Sequence, residues 1–525
     1  MKELIYHRQF MPAINTFGTK VAVIDGAYEA SFEAHGDRVL RLASAMGREL
    51  GIAPGDRFAV MAVNCHEYLE LYHAAYLGAG IINPLNLRLA GKELEYIVRD
   101  SGTEVVFVDA HFAQVFHDAM GPEGRKDVDN PIRRVVLIGS GDGPCDLRYE
   151  DLIAAGDAVV PPEPEEQDPV VLMYTGGTTG LPKGVLVTQR AEILNCYHAG
   201  LALGRFKPSE VGLLQTPIFH AASMVSLLAT TGAGGTQVLL PMFEPAEVIR
   251  LIERHQVTLT MMVPTMIAMM VNHPDFSPER VASLESLTYG ASPMPATLLD
   301  RLLEMLPRLE LNQGYGMTES SSVLTFNGPD HHRLDDPRLR SVGRPVPGVE
   351  LSIQNDAGEI LPVGETGEVC AKGGNLMTEY WHKPEATAEA FQGGWYHTGD
   401  AGYLDDEGFL FLVDRVKDMI ISGGENVYSV EVENAISSHA AVDQVAVIGI
   451  PHQLWGEQVH AVVVPAAGAT VTEAEIIEHA RGTIAGYKVP KSVEFRDEPL
   501  PLSGAMKVLK RELREPYWKD QDVNI

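Results

Sequence analysis

Residues 175–184, Thr-Gly-Gly-Thr-Thr-Gly-Leu-Pro-Lys-Gly, follow directly on the apolar run Val-Val-Leu-Met-Tyr at 170–174. Small residues at the end of a strand can turn backbone N–H groups and hydroxyls onto an oxyanion, because no bulky side chain blocks its approach. Phosphate is the ligand that such a cradle suits. It is not a Walker loop: GxxxxGK[ST] cannot be aligned on it, and Lys183 is followed by Gly184. Taken alone, the run also fits a Gly/Thr surface loop.

A loop of this kind needs a rigid sheet behind it, and the surrounding pattern supplies one. Residues 31–50 carry apolar positions at helical spacing, GDRFAVMAVN reads as turn, strand and loop, and EYLELYHAAYLGA is again helical. LEYIVRDSG then TEVVFVD, and EVIRLIERHQ then VTLTMMVP, repeat the helix–strand alternation of parallel sheets covered by helices. The class expected is α/β. PPEPEEQDP within 151–170 reads as a connector with no ligand of its own. From 341 onward VELSIQNDAGEI and GEVCAKG suggest a smaller β-rich unit. Beyond a boundary near Asp414, VEVENAISSH, VDQVAVIGI, HAVVVPA and TEAEIIEHARGTI suggest a compact α+β domain.

Length and composition set the outer bounds. The chain has 525 residues, enough for several cores, with 45% hydrophobic and 21% charged residues, the balance of a globular protein. Its 41 Lys and Arg against 71 Asp and Glu give a net charge of -30, which argues against a general nucleic-acid binder. Cys65, Cys145, Cys196 and Cys370 are scattered, with no CxxC pair and no His at metal spacing, so neither zinc nor a disulfide framework is indicated. The start, MKELIYHRQFMPAINTF, lacks the pattern of a secretory signal, and a cytoplasmic location is expected. The most apolar runs, such as MMVPTMIAMMV, fall short of the roughly 20 residues a spanning helix needs.

The 175–184 run resembles the signature [ST]-[SG]-G-[ST]-T-G-x-P-K-G of the adenylate-forming superfamily of acyl-CoA synthetases, adenylation domains and beetle luciferases. The resemblance continues in order along nearly the whole chain. TYGASPM at 288–294 looks like the adenine-pocket loop, QGYGMTE at 313–319 like the nucleotide and metal motif, YHTGD at 396–400 like the ribose motif, and DRVKDMIISGGENVY at 414–428 like the interdomain hinge. The branch it points to is the acyl-CoA synthetases, or fatty-acid–CoA ligases. It implies an N-terminal domain over 1–413 with two α/β subdomains and a small β-rich one, a hinge at 414–417, and a mobile C-terminal domain over 418–525.

Activating a carboxylate with ATP brings two anions together, so cations and donors must converge on the α-phosphate. Thr175, Gly176, Gly177, Thr178, Thr179 and Gly180 are expected to form the phosphate cradle, and Lys183 can anchor the loop or the leaving pyrophosphate. By resemblance, Gly290, Ala291 and Ser292 border the adenine. Gly314, Tyr315, Gly316 and Met317 carry the nucleotide, with the Tyr315 ring for adenine. Thr318 contacts the α-phosphate and Glu319 ligates Mg2+, a hard cation suited to a carboxylate. Asp400 and Arg415 hold the ribose, and Asn426 reaches the nucleotide. The hinge is Lys417, Gly423 and Gly424 enter on the coenzyme A side, and Lys507 of GAMKVLKREL bridges carboxylate and α-phosphate. Lys510 is its rival. Met506 stands where glycine is usual, which is expected to slow adenylation.

Phe219 and His220, with Ala221, Ala222 and Ser223, resemble the start of the helix beside the acyl pocket, His220 as a gate, with Tyr289, Gly290 and Met317 on other walls. No acid stands where relatives that activate amino acids hold the amine, so a simple carboxylic acid is favoured, a medium- or long-chain fatty acid first and an aryl or cyclic acid second. Trp455-Gly456-Glu457 and Tyr487-Lys488-Val489-Pro490-Lys491 resemble segments of CoA ligases, and no carrier domain follows Ile525. The resemblance therefore implies ATP, Mg2+ and coenzyme A. A homodimer stays open, as do a ligase that passes its acyl adenylate to a carrier protein, a luciferase-like oxygenase and an inactive nucleotide-binding scaffold.

Overall fold

The computed structural model describes residues 2–89, 91–120, 131–175, 182–292, 294–415, 419–422, 425–452, 455–503 and 508–519. Two large sheets dominate. The first has eight strands in the spatial order Glu379–Tyr380, Lys183–Thr188, Pro169–Thr175, Ile81–Pro84, Arg57–Met61, Val105–Asp109, Arg134–Ile138 and Leu147–Arg148. From Pro169–Thr175 outward all neighbours are parallel, and Lys183–Thr188 returns antiparallel after the Thr/Gly run. Parallel pairs need long crossovers, and the helices Gly91–Ser101 and Ala110–Met120 are among those that make them here.

The second sheet has nine strands, in the order Arg344–Pro345, Thr325–Asn327, Glu310–Tyr315, Ser286–Gly290, Leu259–Met262, Val211–Leu214, Thr236–Leu239, Val21–Asp25 and Tyr28–Ser31. Its last two strands come from the chain's start, because Val23, Ile24 and Asp25 pair in parallel with Gln237, Val238 and Leu239. One core cluster takes side chains from both sheets, among them Phe58, Val60 and Ile82 from the first and Val23, Leu214 and Leu239 from the second. The helix Phe32–Leu50 packs into it along Phe32, Val39, Leu42 and Met46. The Ser31 hydroxyl caps its start by accepting from Ala34 N, and Gly51 at φ +70° ends it in the left-handed region.

The acidic connector does more than join elements. Glu166 Oε1 accepts from Glu3 N at 2.9 Å and Leu4 N at 3.1 Å, while Lys2 pairs with Glu165 and Arg8 with Glu163. The connector also holds the N-terminal segment, whose backbone donors would otherwise go unmet.

Beyond the large sheets, Val349–Gln354, Gly367–Gly373, Tyr396–Leu404 and Leu410–Arg415 form an antiparallel sheet, the β-rich unit expected from 341 onward. The last sheet runs Glu425–Val427, Ile420–Ser422, Gly456–Pro465 and Val442–His452, with Ser492–Phe495 parallel to Gly456–Pro465. The helices Ser429–Ser437, Glu473–Arg481 and Lys510–Trp518 accompany it. The α/β class holds, with a separate small α+β unit. Among the described residues no helix is long and apolar enough to cross a membrane.

Candidate active site

The Thr/Gly run leaves the Pro169–Thr175 strand at the C-terminal edge of a parallel sheet, where open α/β sheets bind ligands. Ile82 lies opposite Val171 in parallel, so the loop after Pro84 opens on the same edge. Gly176, Gly177, Thr178, Thr179 and Gly180 lie outside the described residues. The run's flanks are described. Thr175 Oγ1 donates to Lys183 O at 3.4 Å, and the Lys183 ammonium sits 4.9 Å from the centroid of the Tyr380 ring. The Tyr380 hydroxyl donates to Glu319 Oε1 at 2.9 Å. Burial first, and then the Glu319 charge, raise the phenol's pKa, so it stays a donor.

Thr318 and Glu319 occupy a short 3-10 turn, Thr318–Ser320, at the end of the Glu310–Tyr315 strand. Met317 N donates to Ser320 Oγ at 3.0 Å. Two fully buried asparagines lock the turn: Asn195 Nδ2 donates to Ser320 O at 2.9 Å, and Asn375 Nδ2 to Ser320 O at 3.2 Å and Val323 O at 2.7 Å. Neither was found by motif reading. The sign in the sequence is an amide set among apolar residues, as in Ile-Leu-Asn-Cys at 193–196, a buried donor that must find an acceptor.

Gly290 and Gly314 face each other across the parallel pair, and a Cβ on Gly290 would meet Gly314 O at 2.3 Å. A Cβ on Gly316 would meet Ser322 O at 2.1 Å, so both positions demand glycine. Ala291, Ser321 and Ser322 hold φ of +66°, +52° and +109°, three of the six non-glycine residues with positive φ among those described. Backbone strain collected at one edge is the mark of a functional site. Ser292 follows Ala291 on this loop.

The Tyr315 hydroxyl donates to Asp400 Oδ2 at 2.8 Å, joining the nine-stranded sheet to the β-rich unit. Arg415 is the ladder partner of Asp400, so the structure brings the two expected ribose residues opposite each other. Glu368 supports this strand: its Oε1 accepts from Gly399 N at 3.0 Å and its Oε2 lies 2.8 Å from His397 Nδ1. Cys370 Sγ lies 3.5 Å from the same nitrogen, a neighbour that spacing along the chain did not reveal because the ladder pairs Cys370 with His397. Burial and Glu368 push this thiol up to about 12.

On the acyl side, His220 precedes the helix Ala221–Gly232, its ring 4.9 Å from that of Phe219. Phe219, Ala221 and Met317 pack with the core between the sheets, and Ala222 is half-buried beside them. Ser223 turns inward, its hydroxyl donating to Pro217 O at 3.2 Å. Tyr289 is not brought to this wall. Successive residues of a strand face opposite sides, and Tyr289 packs with Leu287 and Leu311 in a different cluster, its hydroxyl 3.0 Å from His332 Nε2.

In the C-terminal part, Lys417, Gly423, Gly424, Met506 and Lys507 lie outside the described residues. Asn426 stands on the Glu425–Val427 strand opposite Ile421. Lys510 is placed clearly: its Nζ lies 2.6 Å from Glu433 Oε1 and donates to the Ser429 hydroxyl. Trp455 and Tyr487 are exposed, with Lys491 5.8 Å from the Trp455 ring.

A Thr/Gly run at the end of a sheet strand, the Tyr315–Asp400 hydrogen bond and the Thr318–Glu319 turn, followed by a separate α+β unit, have the arrangement of an adenylate-forming enzyme. The chain belongs to the AMP-binding enzyme family: the profile of that description matches residues 10–381, and that of the AMP-binding enzyme C-terminal domain matches 431–507. It is 38% identical over 500 residues to a feruloyl-CoA synthase of Amycolatopsis sp, covering 94% of this chain and 96% of that protein. It is 37% identical over 472 residues to the long-chain-fatty-acid–CoA ligase FadD13 of Mycobacterium tuberculosis, covering 89% of each. The fold matches ATP-bound MatB from Rhodopseudomonas palustris with a TM-score of 0.87 at 29% identity, over 99% of both chains. The chain is an ATP-dependent, AMP-forming ligase of the acyl-CoA or aryl-CoA ligase branch, and this family works with ATP, Mg2+ and coenzyme A.

Proposed function

We propose that the protein joins a carboxylic acid with an apolar body, first a medium- or long-chain fatty acid, to coenzyme A. The carboxylate oxygen attacks the α-phosphorus of ATP, pyrophosphate leaves, and the coenzyme A thiol then attacks the acyl carbon and expels AMP. The observation that carries this reading is the Tyr315–Asp400 hydrogen bond at 2.8 Å beside the Glu319 turn, which supports a nucleoside subsite next to a phosphate subsite. Tyr315 takes the adenine, Asp400 and Arg415 the ribose, and the 175–180 run with Lys183 and Thr318 the phosphates. Lys507 is the cation between carboxylate and α-phosphate. The oxygen donors of the Thr318–Glu319 turn suit Mg2+, which Glu319 would hold and which neutralises phosphate charge when bound. Residues 1–413 form the adenylating domain, 414–417 the hinge and 418–525 the moving domain, and four unpaired cysteines suit a cytoplasmic setting.

Uncharged Phe219, Ala221, Ala222 and Met317 at the acyl wall support an apolar acid. An aryl acid is the second reading, favoured by the likeness to a feruloyl-CoA synthase. The test is a panel of octanoate, palmitate, phenylacetate and ferulate with ATP, Mg2+ and coenzyme A, following pyrophosphate and thioester together. The preferred acid should give both. Pyrophosphate without thioester would point to a carrier-protein acceptor, and no acid-dependent pyrophosphate with any of the four would overturn the fatty and aryl readings of the substrate.

A further inference from the structure

Residues 375–381 run as a strap between the carboxylate turn and the strand that leaves the phosphate loop. At one end, Met377 N donates to Glu319 O at 2.7 Å, and Ser321 Oγ donates to Asn375 O at 2.9 Å. At the other, Glu379 and Tyr380 pair antiparallel with Leu186 and Val185, and Trp381 N donates to Gly184 O at 2.7 Å. The strap therefore spans the two elements that would face the triphosphate from opposite sides. Tyr380, 8% exposed, is fixed on it by its own N–H, which donates to Thr387 Oγ1 at 3.0 Å.

From this position one side chain meets both charged groups. Its hydroxyl donates to Glu319 Oε1 at 2.9 Å, and its ring lies 4.9 Å from the Lys183 ammonium. The two contacts reinforce each other: donating the O–H to a carboxylate enriches the ring in electrons, and a richer ring holds a cation more strongly. With Oε1 engaged by the hydroxyl, the direction of Oε2 is set as well, because the carboxylate is planar and its backbone is pinned by Met377 N.

We infer that Tyr380 is a positioning residue of the adenylation site, orienting Glu319 toward the divalent cation and Lys183 toward the phosphates. This rests on the reading of Glu319 and Lys183 given under the proposed function. The hydroxyl serves the metal and the ring serves the lysine, so the two parts separate by substitution. Tyr380→Phe keeps the ring and its packing and removes one hydrogen bond to a charged group, worth about fivefold in metal affinity. Tyr380→Leu removes both contacts.

The experiment titrates Mn2+ into the full chain with α,β-methylene-ATP, whose methylene link keeps it from passing its adenylyl group to the acid, and reads the binding by water-proton relaxation enhancement. Tyr380→Phe should raise the Mn2+ dissociation constant about fivefold and leave metal-free nucleotide affinity unchanged. Tyr380→Leu should weaken both. In turnover with the acid, Tyr380→Phe should need correspondingly more Mg2+ for half-maximal pyrophosphate release and recover its rate at saturating Mg2+. Equal Mn2+ affinity in wild type and Tyr380→Phe, with unchanged melting temperature, overturns the positioning role alone. No nucleotide-dependent Mn2+ binding by the wild-type chain overturns the reading of Glu319 as well.

Discussion

Lys510 carries its ammonium to the Glu433 carboxylate at 2.6 Å and to the Ser429 hydroxyl, both groups of the helix Ser429–Ser437. A cation held this way is part of the C-terminal fold, which favours Lys507 for the chemistry. The Ser429 hydroxyl at the start of this helix is the acceptor of that hydrogen bond. Lys510→Ala should cost about 2 kcal/mol of stability in urea denaturation and leave pyrophosphate release at saturating substrate within about twofold. Loss of adenylation comparable to that of Lys507→Ala would return the role to Lys510. At the proposed nucleoside subsite, Tyr315→Phe keeps the ring proposed for adenine but removes the 2.8 Å hydrogen bond to Asp400. The KM for ATP should rise about fivefold with kcat little changed; a fall in kcat with an unchanged KM would show that the hydroxyl serves the reacting atoms.

Arg88, in the loop after the Ile81–Pro84 strand, donates from Nη1 to Leu502 O at 3.2 Å and Ser503 O at 2.9 Å. Because this strand is the parallel neighbour of Pro169–Thr175, the contact ties residues 502 and 503 to the sheet edge at which the Pro169–Thr175 strand ends. Arg88→Ala should slow acid-dependent pyrophosphate release by about tenfold and spare thioester formation from a preformed acyl adenylate. Equal losses in both half-reactions would make Arg88 a general structural residue. No periodicity announces such a contact. Apolar spacing made the helices around 32–50 and 247–255 legible, and strand signals the alternation at 103–109 and 257–262, since both are local patterns. The motifs likewise singled out Tyr315 and Asp400, which the fold joins by a hydrogen bond, and Glu319 on the turn nearby. What stayed hidden was pairing at long range: Val23 beside Gln237, Tyr289 turned to the far face, Tyr380 on the strap and Cys370 opposite His397. Register depends on partners that lie from tens to hundreds of residues away, which a reading along one chain does not contain.

The core shared by the two large sheets includes a carboxyl group, Glu192 on the helix Gln189–Leu203. It is 2% exposed, and its Oε2 has no hydrogen-bond partner among the described residues. Its charge would bear on three buried neighbours, raising the pKa of Tyr72, Tyr76 and, one turn along the helix, Cys196, while burial alone sets its own shift. Near the start of its helix the dipole favours the carboxylate by about 1 kcal/mol at most, whereas burial acts the other way and raises the pKa to about 8. Burial wins, so the folded state keeps the proton that an unfolded carboxyl, with its pKa at 4.5, releases. The native state then binds more protons than the unfolded one between those values, and stability falls as pH rises through that window. The contribution is complete below pH 4.5, is lost as pH rises through about 8, and amounts to a few kcal/mol across the whole molecule. Glu192→Gln keeps the shape and cannot ionise. Its urea midpoint should match the wild type near pH 5 and exceed it clearly at pH 8.5, so that the difference between the two proteins grows with pH. A constant difference across that range would mean that Glu192 ionises alike in both states and that a buried partner holds its charge.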